Sequence, residues 1–181
     1  MSESGGREWK TIIGVPLLIL AISVGVGFLA AHGRKPRLEG RNAGDFLLPI
    51  VAGEGAGTRL QLSTLRGHAI VLDFWASWCG PCRESTPVLS RIQKRYRSRG
   101  VLIFGINEDE NVSPAFVARA QEAFGASYPS LGDPDAQVAS YYDVQVLPTL
   151  VLVDRRGRIR ATHVGVPSEN WLDGQISRIL E

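Results

Sequence analysis

A chain of 181 residues with 44% hydrophobic content is long enough for one globular domain and a short additional segment. Its 20 basic and 18 acidic residues give a formal net charge of +2. This balance argues against a nucleic-acid-binding protein, which normally carries a concentrated basic face. The basic run from Lys94 to Arg99 is predicted to end a helix, because cations there favour the helix dipole and Gly100 supplies a stop.

The first predicted element is an apolar stretch, residues 12–31, that contains no charged side chain. As a helix it would be about 30 Å long, which matches the hydrocarbon core of a bilayer. We therefore expect a transmembrane anchor after a short tail of residues 1–11. A cleaved signal peptide is the alternative, since Arg7 and Lys10 form a basic start and small residues lie near Ala30. The length of the apolar run favours the uncleaved anchor.

Residues 32–43 are rich in Arg and Gly, which suits a linker between the anchor and a domain spanning residues 44–181. More Lys and Arg residues follow the apolar run than precede it, so a plain count predicts that the domain stays in the cytoplasm. Long domains can cross a membrane regardless of that count. The only two cysteines lie close together, so no stray thiol would be exposed to an oxidising compartment.

Both cysteines fall in the segment from Trp78 to Cys82, directly after the apolar run from Ala69 to Trp75. A strand leading into a helix would place Cys79 at the helix N-terminus, where partial positive charge favours the reactive thiolate. Cys82 would lie one turn later on the same face, able to resolve a mixed disulfide. The sequence thus predicts a redox dithiol with Cys79 as nucleophile, and Gly80 and Pro81 forming the turn between the cysteines.

Two other interpretations of this cysteine pair are a structural disulfide and half of a zinc site. A disulfide closing so short a loop constrains the unfolded chain very little. Structural zinc needs four ligands, and the three histidines form no second ligand-spaced pair. No metal site is therefore predicted.

The remainder of the chain alternates strand and helix patterns. The helix after the cysteines should carry Val88, Leu89, Ile92 and Tyr96 on one side and be kinked at Pro87. The next predicted elements are a strand at 101–106 and a helix that is capped by Ser113, carries the apolar residues Phe116, Ala120 and Phe124, and ends at Gly125. A short helix from Asp133 to Tyr142 and a hairpin of strands 149–153 and 158–164 should follow. The last predicted helix is capped by Ser168 and carries Trp171, Leu172, Ile176 and Ile179.

The segment 71–82, VLDFWASWCGPC, closely resembles thioredoxin, and VLPT at 146–149 resembles the loop that thioredoxin-like proteins place against their dithiol. The upstream stretch from Asp45 to Gly67 is similar to the membrane-anchored thioredoxin-like proteins of bacterial envelopes, which include cytochrome c maturation reductases. The resemblance covers about residues 44–181. It implies an α/β thioredoxin-like fold, with a central mixed sheet flanked by helices, an inserted strand-helix unit and an N-terminal hairpin.

The resemblance also implies roles for individual residues. Asp73 matches an aspartate implicated in proton transfer to or from the second cysteine, and a carboxylate within a buried strand should have a raised pKa. A wet strand edge is the alternative for Asp73. Leu147 and Pro148 match a cis-proline loop that pairs with an extended substrate, whereas an ordinary trans turn proline is the alternative. Trp78, Gly80 and Pro81 would border the substrate.

Trp75 is predicted either to shape the surface near Cys79 or to belong to the core. Arg83 could support a thiolate or be an ordinary exposed helix residue. The sequence departs from the cytochrome maturation proteins at one point. They commonly carry a glutamate three residues after the second cysteine, where this chain has Ser85 and places Glu84 one residue early. This departure favours a general disulfide reductase over a specialised apocytochrome reductase.

The predicted function is a thiol-disulfide oxidoreductase tethered by a single span to the inner membrane, with its domain on the periplasmic side. Its expected partners are disulfide-containing envelope proteins or apocytochromes and a membrane thiol protein that donates electrons. No cofactor beyond the Cys79–Cys82 dithiol is expected, nor is nucleic acid. A disulfide oxidase or isomerase of the same fold is one alternative. A copper metallochaperone using both thiolates and a histidine is the other.

Overall fold

The computed structural model describes residues 38–181, which form a seven-stranded mixed sheet with four α-helices. The strands are β1 (Leu47–Ala52), β2 (Arg59–Gln61), β3 (Ala69–Trp75), β4 (Val101–Asn107), β5 (Ser130–Gly132), β6 (Thr149–Val153) and β7 (Ile159–Val164). The helices are α1 (Gly80–Tyr96), α2 (Pro114–Phe124), α3 (Gln137–Tyr141) and α4 (Glu169–Ile179). Two short 3₁₀ helices cover Leu62–Leu65 and Arg97–Arg99.

The strands lie in the order β2-β1-β5-β4-β3-β6-β7. The three inner strands β3, β4 and β5 are parallel, and β6 and β1 flank them in antiparallel pairing. Every residue of β3 is buried, as predicted for a central strand covered on both faces. The parallel strands end at the same edge of the sheet, where the Cys79 loop also lies. We call this the dithiol edge.

Side chains of β3 alternate between two hydrophobic clusters, because successive strand residues point to opposite faces. Leu72 and Phe74 pack in a cluster on the α3 side. Val71 packs with Leu89 of α1 and Leu172 of α4 on the other side. The α2 and β5 unit lies between β4 and α3 in the chain, and β1 and β2 form an N-terminal hairpin.

Local signals predicted the helix ends well. Ser113 and Ser168 cap α2 and α4 by accepting backbone N–H groups, and Gly125 ends α2 in the left-handed conformation. The helix α1 continues through Pro87 to Tyr96. The hairpin of β6 and β7 forms at the predicted positions.

One predicted helix start was wrong, and two helices bury only part of their apolar residues. In α2, Phe116 is exposed, and the buried face is formed by Val117, Gln121 and Phe124. In α1, Val88 is only partly buried, while Leu89 and the later apolar residues reach the core. The short helix begins at Gln137, not at residue 133, because Ala136 has a left-handed backbone and precedes the first helical residue.

The folded unit begins at Leu38, before the predicted start at residue 44. Leu38 and Ala43 are buried, and Gly40 donates its N–H to the carbonyl of Ile159 at 2.8 Å. The last residues of the predicted linker therefore pack on the start of β7. The predicted tail and anchor, residues 1–11 and 12–31, lie outside the described residues. Within residues 38–181, no helix is long and apolar enough to span a bilayer.

Candidate active site

Cys79 and Cys82 form a disulfide at the dithiol edge, with their Cα atoms 5.3 Å apart. Cys79 is the N-cap of α1, and its Sγ accepts the backbone N–H of Cys82 at 3.2 Å. Gly80 and Pro81 complete the first turn, as the sequence predicted. A thiolate at Cys79 would keep this hydrogen bond and face the positive end of the helix, so both features favour Cys79 as the nucleophile.

Both cysteines are buried, but the residues next to them in the chain are exposed. Cys82 is fully buried and Cys79 is 4% exposed, whereas the side chain before them, Trp78, is 72% exposed. Gly80 and Pro81 are exposed as well. No heavy atom outside its immediate neighbours lies within 4 Å of the position that a Cβ would occupy on Gly80. The approach to the disulfide is therefore open beside Trp78 and Gly80.

The side chains near Cys82 have distinct surroundings. Ser85 is buried and its hydroxyl donates to the Cys82 carbonyl at 3.1 Å, while Glu84 is exposed. The Arg83 guanidinium lies over the ring of Phe124 at 5.1 Å. Trp75 belongs to the core, since it is 3% exposed and its Nε1 donates to the Ser130 hydroxyl at 3.1 Å.

A buried carboxylate holds the loop that leads to Cys79. Asp109, which follows β4, accepts the backbone N–H and the hydroxyl of Ser77, both at 2.9 Å. Its Oδ2 also accepts the side-chain amide of Asn107 at 2.8 Å. Asp109 is 5% exposed. These three hydrogen bonds to one buried side chain hold the loop two residues before Cys79. The sequence interpretation missed it.

The loop before β6 packs against the disulfide. The Leu147–Pro148 peptide bond is cis, the geometry that the resemblance implied. Leu147 is partly buried against the cluster that contains Trp75 and both cysteines. The Pro148 carbonyl accepts the N–H of Gly165 at 2.8 Å, which joins this loop to the end of β7. Val146, just before the loop, is 56% exposed.

Asp73 lies in the middle of β3 and is 1% exposed, so the wet-edge alternative is wrong. It points to the α1 face, because the residues two positions away, Val71 and Trp75, pack on that side. Its Oδ2 accepts the Tyr128 hydroxyl at 2.8 Å, and its Oδ1 is buried without a hydrogen-bond partner. Burial raises the pKa of Asp73 to about 7, and the bond from Tyr128 opposes that rise.

Tyr128 and Thr86 lie between Asp73 and the backbone carbonyl of Cys82, and the sequence interpretation missed both. Tyr128 is 3% exposed, and its hydroxyl also neighbours Thr86. The Thr86 hydroxyl donates to the Cys82 carbonyl at 2.8 Å. Burial, and then the adjacent Asp73 charge, raise the pKa of Tyr128, so it remains a hydroxyl donor. A Tyr-Pro pair before a short strand gives no signal by which sequence alone could have identified this contact.

A second acid, Glu108, lies where β4 ends. Its N–H donates to the Trp75 carbonyl at 3.0 Å, and its Oε1 is buried without a hydrogen-bond partner. Burial, together with the negative charge of Asp133, raises the pKa of Glu108 to about 7. No group of three or more His, Cys, Asp or Glu side chains within residues 38–181 is arranged to hold a metal ion.

A dithiol at a helix N-terminus above a buried acid is the arrangement of a protein that exchanges disulfides, and the comparison with known proteins agrees. The Redoxin family profile matches residues 39–177. The chain belongs to the Redoxin family. It is 31% identical over 165 residues to the thiol-disulfide oxidoreductase ResA of Bacillus subtilis, covering 90% of this chain and 89% of that protein. This Redoxin protein is therefore a thiol-disulfide oxidoreductase.

Solved structures confirm the thioredoxin-like fold. A putative thiol:disulfide interchange protein DsbE from Chlorobium tepidum is 32% identical and superposes with a TM-score of 0.68, over 79% of this chain and 98% of that chain. The exposed lipoprotein thioredoxin Etrx1 of Streptococcus pneumoniae is 26% identical, with a TM-score of 0.64 over 75% of this chain and 99% of that chain.

Proposed function

We propose that this Redoxin protein is a reductase of protein disulfides that works in the bacterial envelope while tethered to the inner membrane. The observation that carries the proposal is the position of Asp73, a buried acid on the α1 face of β3, with Tyr128 and Thr86 between it and the backbone carbonyl of Cys82. A structural disulfide needs no such acid. A disulfide exchanger does, because the second cysteine must lose a proton before it can attack.

The reaction has two exchange steps. In the reduced protein the Cys79 thiolate attacks one sulfur of the client disulfide, forms a mixed disulfide and releases the other client sulfur as a thiolate. The Cys82 thiol then transfers its proton to the Asp73 carboxylate and attacks the Cys79 sulfur. The second client thiolate leaves and is protonated, so two electrons pass to the client and Cys79–Cys82 becomes a disulfide.

Asp73 also bears on the direction of electron flow. Its pKa of about 7 allows it to accept and return a proton near neutral pH. When ionised, the carboxylate repels a thiolate of the reduced protein but not the neutral disulfide. This repulsion destabilises the reduced form and makes the dithiol a better reductant. The oxidised pair would then be restored by a thiol protein of the membrane that donates electrons.

The client would bind along the dithiol edge. Trp78 and Val146 expose apolar surface there, and the cis loop of Leu147 and Pro148 packs against the cysteines. An extended polypeptide with a disulfide could lie between these groups, with Gly80 and Pro81 leaving room for its sulfur. Envelope proteins with disulfides, including apocytochromes, are the proposed clients.

The proposed location depends on residues 1–37. The uncharged run 12–31 would cross the membrane once, and residues 32–37 would join it to Leu38. The likeness to an exposed lipoprotein thioredoxin supports the periplasmic side. A reporter fused after Glu181 tests this orientation, because a fusion active only in the cytoplasm would reject it.

Trapping of the mixed disulfide tests the catalytic assignment. Cys82→Ser should accumulate covalent complexes with clients, since the resolving thiol is missing, whereas Cys79→Ser should accumulate none. Both variants lose only one sulfur, so each controls for the other. Equal trapping by the two variants would contradict the assigned roles.

The reduction potential separates a reductase from an oxidase or isomerase. Equilibration against a glutathione couple measures it, and 30 mV corresponds to about 1.4 kcal/mol for two electrons. We expect a value near that of thioredoxin, about −270 mV. A value near −120 mV, as in disulfide-donating proteins, would reverse the proposed direction. Asp73→Asn should also slow client reduction at neutral pH and change its pH profile.

A further inference from the structure

Charge is segregated between the two edges of the sheet. At the dithiol edge, the loops 76–79, 108–113, 133–136 and 142–148 contain acidic side chains and no Lys, Arg or His. Their acidic residues are Glu108, Asp109, Glu110, Asp133, Asp135 and Asp143. The whole chain has a formal net charge of only +2, so this acidic edge must be balanced elsewhere.

The balancing positive charge lies at the opposite edge of the sheet. Strands β3 and β4 begin at this edge, β6 turns into β7 there, and Leu38, the first described residue, lies there too. We call this the basic edge. Its cationic side chains are all exposed, and they are Arg41, Arg66, Arg97, Arg99, Arg155, Arg156 and Arg158. Its acidic side chains are Glu39, Asp45, Glu54 and Asp154, which still leaves the arginines in excess.

Backbone contacts bring the loops of the basic edge into one surface. Gly67 donates its N–H to the Arg155 carbonyl at 2.9 Å, and the Arg155 side chain donates to the Arg99 carbonyl at 3.0 Å. Ile159 donates its N–H to the Arg41 carbonyl at 2.9 Å. The arginines therefore belong to one continuous patch and not to separate solvated turns.

Few of these charges are neutralised within the protein. Arg97 pairs with Glu54 at 2.9 Å. Asp154 accepts the backbone N–H groups of Arg156 and Arg158, and its nearest cationic side chain is Arg160, at 3.8 Å. Among the described residues, the side chains of Arg156 and Arg158 form no ion pair. The patch thus keeps an excess of positive charge that is free to meet an external anion.

The position of the patch identifies that anion. The chain enters the domain at the basic edge, and the preceding residues Arg34, Lys35 and Arg37 add further positive charge directly after the uncharged run 12–31. The surface closest along the chain to the proposed anchor is therefore the most basic one. The dithiol edge is separated from it by the length of β3, seven residues or about 23 Å.

We infer that the basic edge binds the anionic phospholipid head groups of the membrane that holds the anchor. This contact orients the domain with the dithiol edge away from the bilayer, where clients can reach Cys79. The inference uses the membrane attachment proposed above but not the redox chemistry. Each Lys or Arg held near an anionic surface strengthens association about fivefold, and salt weakens the attraction beyond a Debye length of about 10 Å at 0.1 M.

Hydrogen exchange of the full chain in lipid nanodiscs tests the contact. Discs of phosphatidylcholine alone are compared with discs that also contain phosphatidylglycerol, at low and high salt. We expect segments 66–68, 97–100 and 154–158 to exchange more slowly in the anionic discs, and high salt to remove the difference. Segment 108–113, at the dithiol edge, should exchange equally in both.

Matched double variants locate the contact. Arg156→Gln with Arg158→Gln removes two charges from the basic edge and should weaken the association about thirtyfold, so the protection is lost. Arg83→Gln with Arg119→Gln removes the same charge away from that edge and should retain it. Equal exchange of the unaltered chain in both kinds of disc overturns the inference, as does protection of segment 108–113. If the chain co-purifies with neither kind of disc, both the lipid contact and the proposed anchor are rejected. Loss of reductase activity alone would reject the proposed function but not the lipid contact.

Discussion

Replacement of Asp73 by Asn should stabilise the oxidised domain at alkaline pH and have little effect near pH 4. The carboxyl is buried in β3, and burial raises its pKa from 3.8 to about 7. Between these two pKa values, Asp73 is protonated in the folded protein and ionised in the unfolded chain. The free energy of unfolding therefore decreases as the pH rises through this window, and the loss is complete above the folded pKa.

The size of the effect follows from the same values. Each pKa unit corresponds to about 1.4 kcal/mol, so an ionised Asp73 costs the folded state up to about 4 kcal/mol above pH 7. Asparagine is close in shape and carries no charge. Its amide can still accept from the Tyr128 hydroxyl, so Asp73→Asn should remove most of this cost without opening a cavity.

Denaturant unfolding of the oxidised domain, measured at several pH values from 4 to 9, provides the assay. The stability curves of the unaltered protein and Asp73→Asn should meet near pH 4 and separate as the pH rises. Asp135→Asn, a change at an exposed acid near the same edge, serves as the control and should follow the unaltered curve. Parallel curves for Asp73→Asn and the unaltered protein would refute the reasoning, because Asp73 would then have the same pKa folded and unfolded.

Three further predictions concern the contacts around the site. Tyr128→Phe removes a hydrogen bond to a charged group, worth about 1.5–3 kcal/mol, so the pKa of Asp73 should rise by about one to two units. Carboxyl NMR measures this titration, and an unchanged midpoint would contradict the contact. Asp109→Ala should lower the free energy of unfolding by about 2–4 kcal/mol, whereas the neighbouring exposed Glu110→Ala should change it little. Ser168→Ala should remove the α4 cap and cost about 1 kcal/mol in the same measurement, and no loss would show that the cap is dispensable.

The elements of the fold that depend on local chemistry were predictable from sequence. Ser113, Pro114 and Gly125 set the ends of α2 through caps that involve only neighbouring residues. The buried side of the same helix was not predictable. Gln121 is buried and its amide nitrogen donates to the Tyr128 carbonyl, although its Oε1 has no partner, while the apolar Phe116 is left exposed.

In the active site, too, some features were predictable from the sequence and others were not. The position of the dithiol at the start of a helix and the burial of Asp73 were predictable because an apolar strand leads directly into the cysteine pair, whereas the role of Asp73 was implied only by the resemblance to thioredoxin. Asp109 and Tyr128 were not, since each reaches the site from another part of the chain. Asp109 contacts Ser77 across 32 positions, and Tyr128 contacts Asp73 across 55 positions. Pairing of β3 with β4, and of β4 with β5, creates both contacts, and no local pattern encodes that register.

The presence of Asp73 in the centre of β3 needs an explanation, because a buried acid destabilises the fold when it is ionised. An apolar residue in the centre of β3 would avoid the cost of an ionised carboxylate, and the partner Tyr128 satisfies only one of its oxygens. The sheet could be stable without this acid, so stability does not account for it. The proton transfer to and from Cys82 that we propose would account for it, because that step needs a group with a pKa near neutral, shielded from water and held by a rigid strand. In this proposal, the same burial that weakens the fold above pH 7 provides the proton acceptor for the second exchange step.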